Sequence, residues 1–230
     1  MDSPRKILLV EGISDKGFFE QICKLLGLDS KVTIAPPTGL GGKCNTKEGV
    51  LNHLPTLLLN ELNKDSNVPF QLAIVVDADY QENGSGYQRT FARIQKIVKE
   101  YDFILKNNSS IETGLYFKNT EGFEDLGVWI MPDNHSEGML EDWIKNCIID
   151  EEQALFQHAS KTVANLGHPK FKEIHRTKAE IATWLAWQKC PGHGLYNTIT
   201  KKKKERVSRL LNEQHPSFQA LTTWLQHIFK

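Results

Sequence analysis

Long apolar runs are missing from this chain of 230 residues. That absence argues against a membrane-spanning protein, because a bilayer helix needs roughly 20 consecutive apolar residues. The run behind the basic N-terminal residues, Ile7 to Val10, is four residues long, too short for the apolar region of a signal peptide. Cysteine is scarce, and Cys23, Cys44, Cys147 and Cys190 form no CxxC pair. A disulfide framework and a thiolate zinc site are both disfavoured. The eight histidines offer no second well-spaced pair to complete a tetrahedral site. The glycine-rich stretch Thr38-Gly-Leu-Gly-Gly-Lys43 is followed by Cys44, where a triphosphate-binding loop needs Ser or Thr. Net charge is also lacking, with 28 basic and 28 acidic residues. The expectation is a soluble, cytoplasmic globular protein without a nucleoside-triphosphate site.

What charge there is lies unevenly. Residues 1–169 carry 16 basic and 24 acidic groups, net −8, whereas residues 170–230 carry 12 and 4, net +8. An acidic part can hold cations, and a basic part can meet an anionic partner. The basic part contains Lys201, Lys202, Lys203, Lys204, Arg206 and Arg209, six positive charges within nine residues. Such a run either grips a nucleic-acid backbone without reading its sequence or forms a solvated surface.

Apolar periodicity predicts an α/β protein. Arg5–Val10, Lys31–Ala35, Gln71–Val76, Gly114–Phe117 and Gly127–Met131 read as strands, several of them apolar on both faces as in a parallel sheet. Helices are expected from Ser14, as N-cap, to Gly27, from Thr46 to Asn63 with a bend or break at Pro55, from Tyr87 to Tyr101, and from Gly138 onward. This alternation gives a mainly parallel sheet flanked by helices over residues 1–150. Residues 151–230 read as a helical C-terminal part packed on that core. In it, Trp184, Trp187 and Trp224 fit core positions better than base-stacking ones.

Acids stand where the strands end. Glu11 follows the first strand directly, Asp77 and Asp79 follow the third, and Asp15 lies one helical turn beyond Glu11. In open α/β sheets, ligands bind outside the carboxyl ends of the strands. Carboxylates gathered there repel one another, and a hard divalent cation such as Mg²⁺ relieves the repulsion. Asp77 and Asp79 fall on one side of an extended chain, so both can face one metal or two neighbouring ones. Alone, Asp-Ala-Asp fits a capping turn better than a metal site; paired with Val10-Glu11-Gly12 it points to a metal site.

Leu9-Val-Glu-Gly-Ile-Ser-Asp15 followed by Ile74-Val-Val-Asp-Ala-Asp79 resembles the two signature motifs of the Toprim domain. Topoisomerases, primases and the OLD (overcoming lysogenization defect) nucleases share that domain. Over nearly its whole length the chain is similar to a stand-alone Toprim-like group without assigned activity. The segments Val128-Trp-Ile-Met-Pro-Asp-Asn134, Gly138-Met-Leu-Glu-Asp142 and Lys178-Ala-Glu-Ile-Ala-Thr-Trp-Leu-Ala-Trp-Gln-Lys-Cys-Pro-Gly192 carry that similarity. The resemblance implies Glu11 as metal ligand or general acid–base, with Asp77 and Asp79 as metal-binding aspartates. It further implies Asp15 as an assisting ligand and Glu141 as the acid for a second metal.

Among Toprim reactions, metal-assisted phosphodiester hydrolysis demands least of 230 residues. A topoisomerase needs a strand-passing scaffold, and a primase needs nucleotide-binding elements. The expected enzyme is therefore a nuclease using one or two Mg²⁺ or Mn²⁺ ions. Glu11 and Asp77 would be catalytic, and Lys43 would face a non-bridging phosphate oxygen or, more readily, solvent. DNA or RNA is the expected partner, and homo-oligomerisation is left open. The competing expectation is an interaction subunit without activity of its own. It would work with a separate ATPase, in phage defence for instance, because this chain has no Walker motif.

Overall fold

The computed structural model describes residues 5–36, 46–62, 70–106, 113–192, 194–199 and 210–230. It has six strands: β1 (Arg5–Val10), β2 (Lys31–Ile34), β3 (Phe70–Asp77), β4 (Phe103–Leu105), β5 (Leu115–Asn119) and β6 (Leu126–Met131). Seven α-helices accompany them: α1 (Ile13–Leu26), α2 (Lys47–Leu62), α3 (Tyr87–Lys99), α4 (Leu140–Cys147), α5 (Asp150–Ala164), α6 (Arg176–Ala186) and α7 (Pro216–Phe229). The strands form one sheet in the order β2-β1-β3-β6-β5-β4. The first four are mutually parallel, and β5 and β4 close the far edge antiparallel. The chain is thus α/β with a mainly parallel sheet, as its apolar pattern predicts.

Alternation along the buried strands builds two cores. Leu8, Val10, Ala73, Val75, Trp129 and Met131 face a layer from α1 and α4–α7. Leu9, Leu72, Ile74, Val76, Val128 and Ile130 face α2 and α3. Helix α7 approaches the sheet over Gly127, where an added Cβ would stand 2.7 Å from the Ile228 side chain. At Gly114 (φ +87°) a Cβ would come within 2.1 Å of the Trp224 ring. Both glycines are therefore contact points for the last helix.

Several local expectations differ from the structure. Helix α1 begins at Ile13 behind an extended Gly12 with no side-chain cap, so Ser14 is inside the helix. Helix α2 runs through Pro55 as one element. Its buried Val50, Leu51, Leu54 and Leu58 supply tertiary packing that offsets the lost hydrogen bond. Trp184 and Trp224 are fully buried, but Trp187 is 39% exposed; it follows the last residue of α6 and lies beside the His158 ring at 5.3 Å. Among the described residues no helix is long and apolar enough to cross a membrane.

The order β2-β1-β3 sets the site. From β1 the chain crosses to β2 on one side, then returns past β1 to reach β3. The crossovers therefore diverge between β1 and β3, and such a switch point leaves a crevice at the strands' carboxyl ends.

Candidate active site

Glu11 and Asp77 stand at that switch point. Leu8, Leu9 and Val10 are buried, and Glu11 is the first residue past the strand. Its Oε1 accepts the Asp77 backbone N–H at 2.8 Å, so the two strand ends are tied through the glutamate. Asp77 is 7% exposed, and its Oδ1 accepts the N–H of Leu140, first residue of α4, at 3.0 Å. Glu141 follows in the same turn. Asp142 fixes the start of that helix: its Oδ2 accepts the Met139 N–H at 2.8 Å and the Tyr80 hydroxyl at 3.0 Å. At Gly138 (φ +138°) a Cβ would lie 2.8 Å from the same oxygen, so the approach requires glycine. Asp15 belongs to the first turn of α1. Two helix N-termini, each favouring negative charge, thus contribute Asp15 and Glu141 to the acids of β1 and β3.

These four carboxyls hold their protons tightly. Burial pushes Glu11 up to about 8; the Asp77 N–H opposes this, and the charges of Asp15 and Asp79 add to it. Burial also raises Asp77 well above the usual range, reinforced by Glu11, Asp15 and Glu141. Asp15 and Glu141 are raised chiefly by burial, with Lys178 opposing in both. Lys178, in the first turn of α6, faces the whole group. Burial works against its charge, yet Glu141, Asp77, Asp15 and Glu11 together hold its pKa above the usual lysine value.

Lys178→Met is expected to lower the melting temperature by about 2–4 °C near pH 7.5, equivalent to roughly 1 kcal/mol for an accessible ammonium. The difference should shrink as pH falls below 7.5, because Glu11, raised to about 8, and the other raised carboxyls take up protons and need the ammonium less. Thermal unfolding of both proteins in chelator checks this.

Of these acids Glu11 and Asp77 line a cleft of about 450 Å³, which Asp79, Lys178, Arg89 and Arg93 also border. Arg93 makes a two-pronged ion pair with Glu48. Arg89 is exposed at the rim and has no partner among the described residues.

Asp79 departs from its expected placement. The extended path ends at Asp77, and Asp79 turns into the left-handed region at φ 58°. A pair of backbone hydrogen bonds with Gly138 holds it there, at 2.9 and 3.1 Å. Its carboxylate meets the Lys47 ammonium at 2.5 Å and does not line up beside Asp77, because the two-residue repeat lasts only as long as the strand. The charges of Glu11, Asp15, Asp77 and Glu141 thus all act on Lys178, whereas Asp79 pairs with Lys47.

Lys43 lies outside the described residues, as do Lys201, Lys202, Lys203, Lys204, Arg206 and Arg209. The flanks of that basic run meet, since the Leu210 N–H donates to the Thr198 carbonyl at 3.0 Å. Sequence reasoning missed Lys47 and Lys178. Lys178 opens one of the segments that carry the family resemblance, which was a signal; Lys47 had none. Among the described residues, no three Asp, Glu, His or Cys side chains stand grouped as they would around a metal ion.

One family's sequence profile matches residues 5–230. The chain belongs to DUF3226, a family described as proteins of unknown function. No curated protein matches the chain, and no solved structure does either.

Proposed function

We propose that this protein is a Toprim-like, metal-dependent nuclease that hydrolyses phosphodiester bonds in nucleic acid. The observation that carries the reading is the meeting of Glu11, Asp15, Asp77 and Glu141 around Lys178 at the switch point of the sheet. The donor set is all carboxylate, raised in pKa first by burial and, for Glu11, Asp77 and Glu141, further by neighbouring acids. That chemistry fits Mg²⁺ or Mn²⁺, which take hard oxygen donors. Glu11, Asp15, Asp77 and Glu141 would hold the ion, drawing closer than they stand without it. A bound ion of this kind supplies an activated water and charge stabilisation for the leaving oxygen.

The chain's own residues would do the rest. Glu11 Oε1 stays with the Asp77 N–H, so Oε2 is the oxygen that gives or takes a proton. Lys178 is placed to face a non-bridging phosphate oxygen. Arg89, at the rim, suits the next phosphate along the strand, and the basic run 201–209 together with Lys43 would add backbone contacts. The same reading places the protein in the cytoplasm with DNA or RNA as partner.

That no trio of ligands stands ready-grouped among the described residues speaks for the second reading, an interaction subunit that works with a separate ATPase. Incubating the full chain with labelled single- and double-stranded DNA and RNA, with Mg²⁺ or Mn²⁺ and then with chelator, decides between them. Cleavage abolished by chelator supports the nuclease. Ion binding by calorimetry without cleavage supports the interaction subunit, and neither binding nor cleavage overturns the metal site altogether.

A further inference from the structure

Lys47 is an unusual neighbour for a metal site. It is the first residue of α2 and 9% exposed, and its ammonium is ringed by five oxygens from three parts of the chain. Those are the carbonyls of Asp77 at 3.0 Å and Ala78 at 3.1 Å, Asp79 Oδ2 at 2.5 Å, Ser85 Oγ at 2.5 Å and Thr90 Oγ1 at 3.2 Å. An ammonium has three hydrogens to give, so five acceptors are more than hydrogen bonding requires. The two hydroxyls turn their own hydrogens to the Ala78 carbonyl, at 3.0 Å from Ser85 and 3.4 Å from Thr90. Their lone pairs are thereby left toward Lys47. Carbonyls, a carboxylate and hydroxyl lone pairs converging on one point make the kind of shell that a hard cation takes.

We infer that the Lys47 ammonium is a resident cation filling an oxygen cage that would otherwise bind a divalent ion. Asp79 is therefore committed to Lys47, and the acid cluster around Lys178 is left to take a single ion. Only the single-ion clause rests on the nuclease reading; the cage stands on its own distances. The turn needs a cation because Asp77 and Ala78 present carbonyls, and Asp79 a carboxylate, to a pocket closed by the buried Thr90. The Ala78 carbonyl also accepts the Gly86 N–H at 2.9 Å, so Lys47 serves chiefly the Asp77 carbonyl and the Asp79 carboxylate, and buried acceptors left without a donor are costly.

Counting Mn²⁺ bound per full-length chain at millimolar metal, by calorimetry and by the resonance signal of free Mn²⁺, tests the inference. Lys47→Ala should bind one more ion than the wild type, and Mn²⁺ should raise its melting temperature more. Adding Asp79→Asn to Lys47→Ala should remove that extra ion. Asp79→Asn alone should leave the wild-type count unchanged and its affinity within about threefold. An equal count in Lys47→Ala and wild type overturns the inference, as does loss of a wild-type ion in Asp79→Asn. The second comparison decides the matter if Lys47→Ala does not fold. A wild type that binds no ion defeats the nuclease reading, whereas the extra ion in Lys47→Ala would still appear.

Discussion

Asp77→Asn is expected to reduce metal-dependent cleavage about a thousandfold or more, while the protein stays folded. The substitution keeps the shape and the acceptor: an asparagine carbonyl can still take the Leu140 N–H that Asp77 Oδ1 takes at 3.0 Å. What it removes is the most deeply placed charge of the cluster, 7% exposed and flanked by Glu11, Asp15 and Glu141. Loss of a preorganised electrostatic group of this kind costs roughly a hundred- to a thousandfold, and under the proposed function the loss of a metal ligand would add to that. Asp77→Ala would be as inactive but less stable, because the tie between β3 and α4 goes with the carboxyl. The check is a cleavage rate, an Mn²⁺ titration and a melting curve on all three proteins. An asparagine variant that cleaves within tenfold of the wild type would remove Asp77 from the metal site.

A second large effect is expected in the pH dependence of stability without metal. Glu11 in the folded chain holds its proton up to about pH 8, against an ordinary value of 4.5. Between those two values the folded state keeps a proton that the unfolded state releases, so stability falls as pH rises through that window. Below pH 4.5 both states are protonated and the contribution is constant; above pH 8 the full cost is present. Asp77, Asp15 and Glu141 are raised as well and act in the same direction. At about 1.4 kcal/mol per pH unit, Glu11 alone sets a ceiling of about 5 kcal/mol, and relaxation around Lys178 should reduce it to about 1–3 kcal/mol. Glu11→Gln retains an acceptor for the Asp77 N–H and loses the charge. Its denaturant-unfolding free energy in chelator should match the wild type near pH 4.5 and exceed it by about 1–3 kcal/mol at pH 8. Saturating Mg²⁺ should close the gap by stabilising the wild type. A wild type that gains stability on going from pH 5 to pH 8 in chelator would refute the electrostatic picture of the site.

Much of this arrangement is visible in the sequence wherever the signal is local. Leu8–Val10 and Leu72–Val76 are apolar on both faces, so they announce central strands, and the acids that end them mark the sheet's carboxyl edge. Glu141 is legible only through its resemblance segment, because nothing in Gly-Met-Leu-Glu says that the Leu140 N–H will reach Asp77. Strand β4 escapes detection because three residues, Phe103 to Leu105, are too few for a period to show. Asp79 is misplaced because alternation assumes that the strand goes on, whereas the left-handed turn depends on Gly138, 59 residues later. Lys47 and Lys178 are hidden for a related reason. A lysine at the start of a helix looks like any solvated charge until the fold brings opposing oxygens to it.

Helix α7 has a bearing on how such a molecule comes into being on the ribosome. Glu11, Asp15, Asp77 and Glu141 all lie within the first 141 residues, but Lys178 follows them, and Phe218, Leu221, Trp224 and Leu225 come later still. Until those residues emerge, one broad side of the sheet, with Tyr116, Trp129 and Met131, has lost much of its apolar cover. Lys6, on the first strand, donates to the Phe229 carbonyl at 2.5 Å, so the earliest strand is fastened by a residue made 223 positions later. A nascent chain therefore carries a full set of mutually repelling acids before it has the lysine that steadies them or the helix that closes the core. The acids thus gain their lysine, and the sheet its apolar cover, well after the four carboxyls themselves have been made.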